Sequence, residues 1–120
     1  MPLLDLLLVG TPDIPPGLAR AVADAVADAL QAPPGRVWVR VQGLPVQAYA
    51  ENHSVLDAEG LPVFVTLLYA QPPEGEARTQ EAQRLTTVIA AALGRPAACV
   101  HLAYAPAGAG RQAFGGHLVV

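Results

Sequence analysis

The sequence predicts an α/β fold in which a β-α-β unit occurs twice, giving a four-stranded mixed sheet with two helices on one face and a short C-terminal strand. Three observations carry this expectation. The apolar run from Leu3 to Val9 reads as a buried strand, the apolar stripe from Leu18 to Leu30 reads as an amphipathic helix, and the same succession returns about sixty residues later. Pro2 aligns with Pro62, Leu30 with Leu93, Pro33 with Pro96 and Val37 with Val100, an offset of 60 that grows to 63 through a longer second turn. The repeat units span about residues 2–45 and 62–106 of one domain, residues 1–120, because a chain of 120 residues is too short for two independent cores.

Each element follows from its local pattern. Gly10-Thr11-Pro12-Asp13 closes the first strand as a turn. Leu18, Val22, Val26 and Leu30 then recur every fourth residue, with Arg20, Asp24 and Asp28 on another face, and Ala32-Pro33-Pro34-Gly35 stops the helix. Arg36 to Gln42 alternates strictly, placing Val37, Val39 and Val41 on one face of a half-buried strand and Trp38, Arg40 and Gln42 on the other. After a mixed linker from Gly43 to Gly60, Leu61 to Tyr69 forms the next apolar strand. Pro72-Pro73-Glu74-Gly75 turns into a second helix marked by Ala82, Leu85, Ile89, Ala92 and Leu93, with Glu81 and Arg84 on its wet side and Gly94-Arg95-Pro96 closing it. Cys99 to Ala105 is the matching strand. The Gly- and Ala-rich tail ends in Phe114-Gly115-Gly116-His117-Leu118-Val119-Val120, whose last residues suit a short strand.

Within each unit the crossover is long enough to hold a helix, which permits parallel pairing of its two strands. With both helices on one face, the other face of the sheet still carries apolar side chains and calls for cover by further subunits. A strand-helix-strand-strand-helix-strand order is also that of ferredoxin-like folds, many of which bind small molecules without catalysis, so a non-enzymatic binding module stands as the alternative.

Composition narrows the function. With 52% apolar residues, 14% charged residues and a net charge of −3, the chain is too apolar for disorder and too weakly charged to neutralise many phosphates, which speaks against nucleic-acid binding. It has seven Arg, no Lys and 23 Ala, a surface that favours self-association. No apolar stretch is long enough to span a bilayer, and Asp5 interrupts the first apolar run, which has no basic residue before it, so a signal peptide is not expected. The single cysteine, Cys99, suits a reducing compartment, and the expected localisation is cytoplasmic. No glycine-rich phosphate loop follows a strand, and His53, His101, His117 and Cys99 lack metal-ligand spacing; neither a cofactor nor a metal is expected.

Met1-Pro2 ahead of an apolar strand, Ile14-Pro15-Pro16-Gly17-Leu18 opening a helix, Pro33-Pro34 before the second strand and an aromatic, Tyr49, near the linker together resemble the tautomerase superfamily. The organisation is most similar to its two-unit, trimeric branches, macrophage migration inhibitory factor and 5-carboxymethyl-2-hydroxymuconate isomerase. Ala77-Arg78-Thr79-Gln80-Glu81 resembles the Gly-Arg-Ser/Thr-x-Glu turn that brings an arginine to the site in 4-oxalocrotonate tautomerase and its relatives. The resemblance implies a cofactor-independent tautomerase acting on a small 2-keto or 2-hydroxyenoic acid, assembled as a homotrimer with sites at its interfaces; a catalytically inactive protein of the same fold is the alternative.

Pro2 is the candidate base. Removal of Met1 makes it a secondary amine on a fixed ring, and an apolar pocket disfavours its ammonium form, leaving a neutral base able to move a proton alpha to a carbonyl. Pro62 has a mid-chain amide nitrogen and cannot do this. An anionic substrate needs cations or donors, and Arg78, at the helix-opening turn, is the first candidate; a solvated turn arginine beside Glu74 and Glu76 is the plain alternative. Arg40 and Arg36 are weaker candidates. By the resemblance, His101 falls where one branch carries a pocket tyrosine. Trp38, Tyr49 and Phe114 are candidate pocket walls, with core or interface packing as the alternative. The first-unit turn lacks the arginine of the short members, and Trp38 and His101 stand where they carry a strand-two arginine. Fewer fixed cations favour monoacids over dicarboxylates.

Overall fold

Backbone pairing follows the apolar run of the first strand and is displaced by a residue or two in the other three. The computed structural model describes residues 2–120; the processing of Met1 lies outside the described residues. In chain order the elements are β1 (Leu3–Val9), α1 (Leu18–Leu30), β2 (Trp38–Leu44), β3 (Val63–Leu68), α2 (Gly75–Leu93), β4 (Val100–Tyr104) and a hairpin of β5 (Ala113–Phe114) and β6 (His117–Leu118). β2 starts two residues after its alternation does, because the Arg36 N–H is tied to the Pro33 carbonyl in a turn and the ladder with β1 opens at Leu3 and Trp38.

The sheet order is β2-β1-β3-β4, with β1 and β2 parallel, β3 and β4 parallel, and β1 and β3 antiparallel. Each unit therefore keeps its two strands side by side. A ferredoxin-like sheet would interleave the strands of the two units, so the topology excludes the ferredoxin-like fold. No helix is long and apolar enough to cross a membrane among the described residues.

The core lies between the sheet and the helix layer. Leu4, Leu6 and Leu8 of β1 and Val63, Val65 and Leu67 of β3 face Val22 and Val26 of α1 and Leu85 and Ile89 of α2, all at most 2% exposed. Each such burial favours the folded state by roughly 1.5–3 kcal/mol before its entropy cost. The buried set is even-numbered in β1 and odd-numbered in β3, so the strand offset cannot be 60. Leu4 pairs with Val39 as Val65 pairs with Leu102, which makes it 61. Val63, not Pro62, occupies the position of Pro2. The offset of 63 does hold from the helix ends onward. The Ala32 N–H reaches the Ala27 carbonyl as that of Arg95 reaches Ala90, and the Cys99 N–H reaches Pro96 as that of Arg36 reaches Pro33.

One further expectation is corrected. Glu81 is not on the wet side of α2: it sits four residues before Leu85 and eight before Ile89 on the buried stripe, and is 8% exposed. The expected short C-terminal strand is one arm of a self-paired hairpin, turning at Gly115 and Gly116, both with positive φ, 57° and 84°. It is anchored by the Gly108 and Ala109 N–H groups on the Tyr69 and Ala70 carbonyls and by Phe114, which packs edge-on against Trp38 at 5.0 Å.

Opposite this hairpin, where β1 and β2 end and β3 and β4 begin, the molecule is tightly closed. The Arg95 guanidinium donates to the Leu61 carbonyl at 3.0 Å and the Thr11 hydroxyl at 2.7 Å. Gly43 lies against the Thr11 and Pro12 backbone, where a Cβ would overlap the Thr11 carbonyl oxygen and come within 2.8 Å of Pro12 Cα.

Candidate active site

At the hairpin end, the helix-facing alternation of three strands runs one step past the core. On β1 it reaches Pro2; on β3 it continues from Val63, Val65 and Leu67 to Tyr69; on β4 it passes Val100 and Leu102 to Tyr104. Pro2 is buried and its carbonyl accepts the Trp38 N–H at 3.2 Å, continuing the parallel ladder. The helix layer thins here because α1 has already ended. A cleft of about 510 Å³ results, lined by Pro2, Leu30, Ala32, Pro33, Arg36, Tyr69 and Glu81.

The inner wall is polar. Glu81 accepts a hydrogen bond from the Tyr104 hydroxyl at 2.7 Å. Tyr69 and Tyr104 stack at 6.3 Å, and the Tyr69 hydroxyl is buried without a hydrogen-bond partner. Burial first, then the interaction of each hydroxyl with the Glu81 carboxylate, and its charge after that, push the ionisation of both phenols well above the usual tyrosine range. Both are neutral donors at any ordinary pH. Arg36 is exposed on the rim. The pocket around Pro2 is thus not purely apolar: it combines desolvation with one carboxylate and one rim cation.

The expected site residues fall into separate places. Arg78 lies on the far side of Tyr104, with its guanidinium 5.3 Å from that ring centroid and its Nε donating to the Pro73 carbonyl at 2.7 Å. It lines a neighbouring cleft with Gln71, Glu74 and Tyr104, not the Pro2 cleft. Trp38, Arg40 and His101 project from the opposite, helix-free face of the sheet. Arg40 is held there by Asp5 through two hydrogen bonds of 2.6 and 2.7 Å, an ion pair that raises the arginine's pKa through the hydrogen bond first and the charge second. Tyr49 covers Phe64 on that face at 5.7 Å, and Phe64 in turn meets the His101 ring at 5.7 Å. Phe114 reaches the Trp38 side through the hairpin. Of the expected residues, Pro2 alone lines the cleft; Arg36, weighed as a weaker cation, joins it.

No family model matches the chain, and no curated protein matches it in sequence. Solved structures do. A fused 4-OT determined as a symmetric trimer superimposes with a TM-score of 0.74 at 16% identity, over 98% of this chain and 94% of that one. Macrophage migration inhibitory factor from Trichinella spiralis gives 0.69 at 17%, over 97% and 98%. A homologue of that factor from Prochlorococcus marinus gives 0.71 at 17%, over 98% and 99%. The chain has the tautomerase fold.

Within the tautomerase fold of this chain, two cleft residues, Glu81 and Tyr69, and the Tyr104 that bonds Glu81 carry no role read from the sequence. Their signals were present. Tyr69 and Tyr104 extend two strand alternations by one step, and Glu81 occupies a stripe position of α2. The described residues contain no group of three or more His, Cys, Asp or Glu side chains able to hold a metal ion.

Proposed function

We propose that the protein is a cofactor-independent tautomerase of a 2-keto or 2-hydroxyenoic monoacid, with Pro2 as general base once Met1 has been removed. The observation that carries this reading is the position of Pro2: a buried ring at the start of β1, lining a cleft that also holds a rim arginine, Arg36, and one neutral phenol, Tyr69, at its wall. The amine takes the proton from one end of the keto-enol system and returns it to the other. Arg36 meets the substrate carboxylate at the rim, where an anion keeps part of its hydration, and the Tyr69 hydroxyl donates to the developing oxyanion. Arg78 orders Tyr104 from behind and acts on the substrate only indirectly. A structure with this fold, Pt0534, was determined after inactivation by 2-oxo-3-pentynoate, a 2-keto acid, at 17% identity. That supports the substrate class assigned here.

Assembly as a homotrimer belongs to the same proposal. The helix-free sheet face carries Trp38, 44% exposed, and Phe64, 37% exposed, beside Leu3, Leu7 and Leu68, and two fused 4-OT structures with this fold are trimers. Burying that face would bring Trp38, Tyr49 and His101 into interfaces rather than into the cleft of their own chain.

Ketonisation of phenylenolpyruvate and 2-hydroxymuconate, followed by absorbance on Met1-free protein verified by mass, tests the reading. The expected result is catalysis that favours the monoacid and falls by about 10²-fold or more in Pro2→Ala. Equal rates in the two proteins would instead indicate a tautomerase-fold binding protein without the chemistry.

A further inference from the structure

A carboxylate taken out of water is costly unless a cation or several donors meet it. Glu81 is 8% exposed and accepts one hydrogen bond, from Tyr104. The one ion pair among the described residues is Arg40 with Asp5, on the other face of the sheet. The cleft offers Glu81 two sources of positive charge: Arg36 on the exposed rim and, once Met1 is gone, the nitrogen of Pro2. Only the second is buried with it.

We propose that Glu81 is the counter-charge of the Pro2 ammonium, a positioning residue that stabilises Pro2 in its protonated form. This rests on the reading of Pro2 as the proton carrier and deepens it. A tautomerase base must hold the proton between removal and return. The substrate C–H or O–H bond breaks and leaves its electron pair on the enolate, the proline lone pair takes the proton, and the N–H bond then breaks as a new bond forms at the other substrate atom. Glu81 stays charged throughout and gains no proton. Its effect opposes desolvation of the amine and the repulsion of Arg36, the latter weakened by water at the rim. Facing the same cluster, Tyr69 and Tyr104 are neutral, the Arg78 guanidinium stands 5.3 Å from the Tyr104 ring centroid, and Arg84, exposed on α2, acts on Tyr69; neither arginine is within ion-pair distance of Glu81. The Tyr104 hydroxyl fixes one carboxylate oxygen of Glu81.

The test is a nuclear magnetic resonance titration of Pro2 in Met1-free protein, with Glu81→Gln and Glu81→Asp beside the wild type. The expected result is a Pro2 pKa lower by about one unit or more in Glu81→Gln, a tenfold change in the amine-to-ammonium ratio, and largely kept in Glu81→Asp. In the wild type, which needs no variant to fold, the Glu81 carboxyl carbon should show an inflection at the pH where Pro2 titrates. An unchanged or higher Pro2 pKa in Glu81→Gln, or no shared inflection, overturns the proposal. Coupled titration without any ketonisation would overturn the tautomerase reading and leave the Glu81–Pro2 pairing standing.

Discussion

The two units place equivalent corners at opposite ends of the sheet, and the corners differ in one decisive way. At the hairpin end stand Pro2, Ala32, Arg36, Tyr69 and Glu81; at the other end the same positions hold Val63, Arg95, Cys99, Leu8 and Leu18. Ala32 and Arg95 follow their helices with the same backbone hydrogen bond, but a methyl group leaves space where a guanidinium fills it and bonds to Leu61 and Thr11. Leu8 and Leu18 join the core, whereas Tyr69 and Glu81 keep polar atoms at a cleft wall. The duplicated backbone supplies two potential pockets, and side-chain volume at one position after each helix decides which stays open.

The comparison is broken most severely at the closed corner. Gly43→Ala drives a Cβ into the Thr11 and Pro12 backbone, which cannot swing aside as a side chain can, so a loss of about 3 kcal/mol or more is expected in the denaturant midpoint. Arg95→Ala removes charge-assisted hydrogen bonds to Leu61 and Thr11. It is expected to cost about 2 kcal/mol while leaving ketonisation at Pro2 unchanged, since the space it opens has Val63 where the other corner has its proline. Ala32→Arg makes the converse change. Stability is expected to hold, and turnover to fall about tenfold or more as the guanidinium occupies the substrate's space.

Smaller effects sharpen the account of the polar wall. Tyr104→Phe deprives Glu81 of its donor, but the carboxylate borders a cleft that water can enter, so a loss of about 1 kcal/mol is expected by chemical denaturation. The alkaline limb of stability carries the same signature. Tyr69 and Tyr104 hold their protons above the ordinary tyrosine value in the folded state, so their contribution is fully present below the unfolded-state value near pH ~10 and is lost as pH rises beyond it. Phenolate absorbance from these two should therefore appear together with loss of circular dichroism. Tyr49, half-exposed over Phe64 and donating to Glu51, should ionise separately while the fold persists.

Much of the fold is legible in the sequence because single elements carry strong periods. Leu3–Val9 and the stripe of Leu18, Val22, Val26 and Leu30 need no tertiary information. Matching Pro2 to Pro62 by identity fails because strand faces alternate every residue, and a slip of one inverts them; the buried pattern of Val63, Val65 and Leu67 is the better guide. The same alternation already puts Trp38 and Arg40 opposite Val37, Val39 and Val41, hence away from the helix layer in which Pro2 lies. Glu81 stayed hidden because a glutamate on an amphipathic helix is ordinarily solvated. Only the meeting of α2 with the end of β4 supplies the Tyr104 hydroxyl that lets it be buried.

The central claim is that one corner of a duplicated fold holds a reactive amine at Pro2. Mass mapping of Met1-free protein after treatment with 2-oxo-3-pentynoate tests it most directly. A single adduct on Pro2, absent when Met1 is retained and slowed by Ala32→Arg, is the result the account predicts. An adduct on Cys99 at the other corner, or labelling that ignores whether Met1 is present, would contradict it.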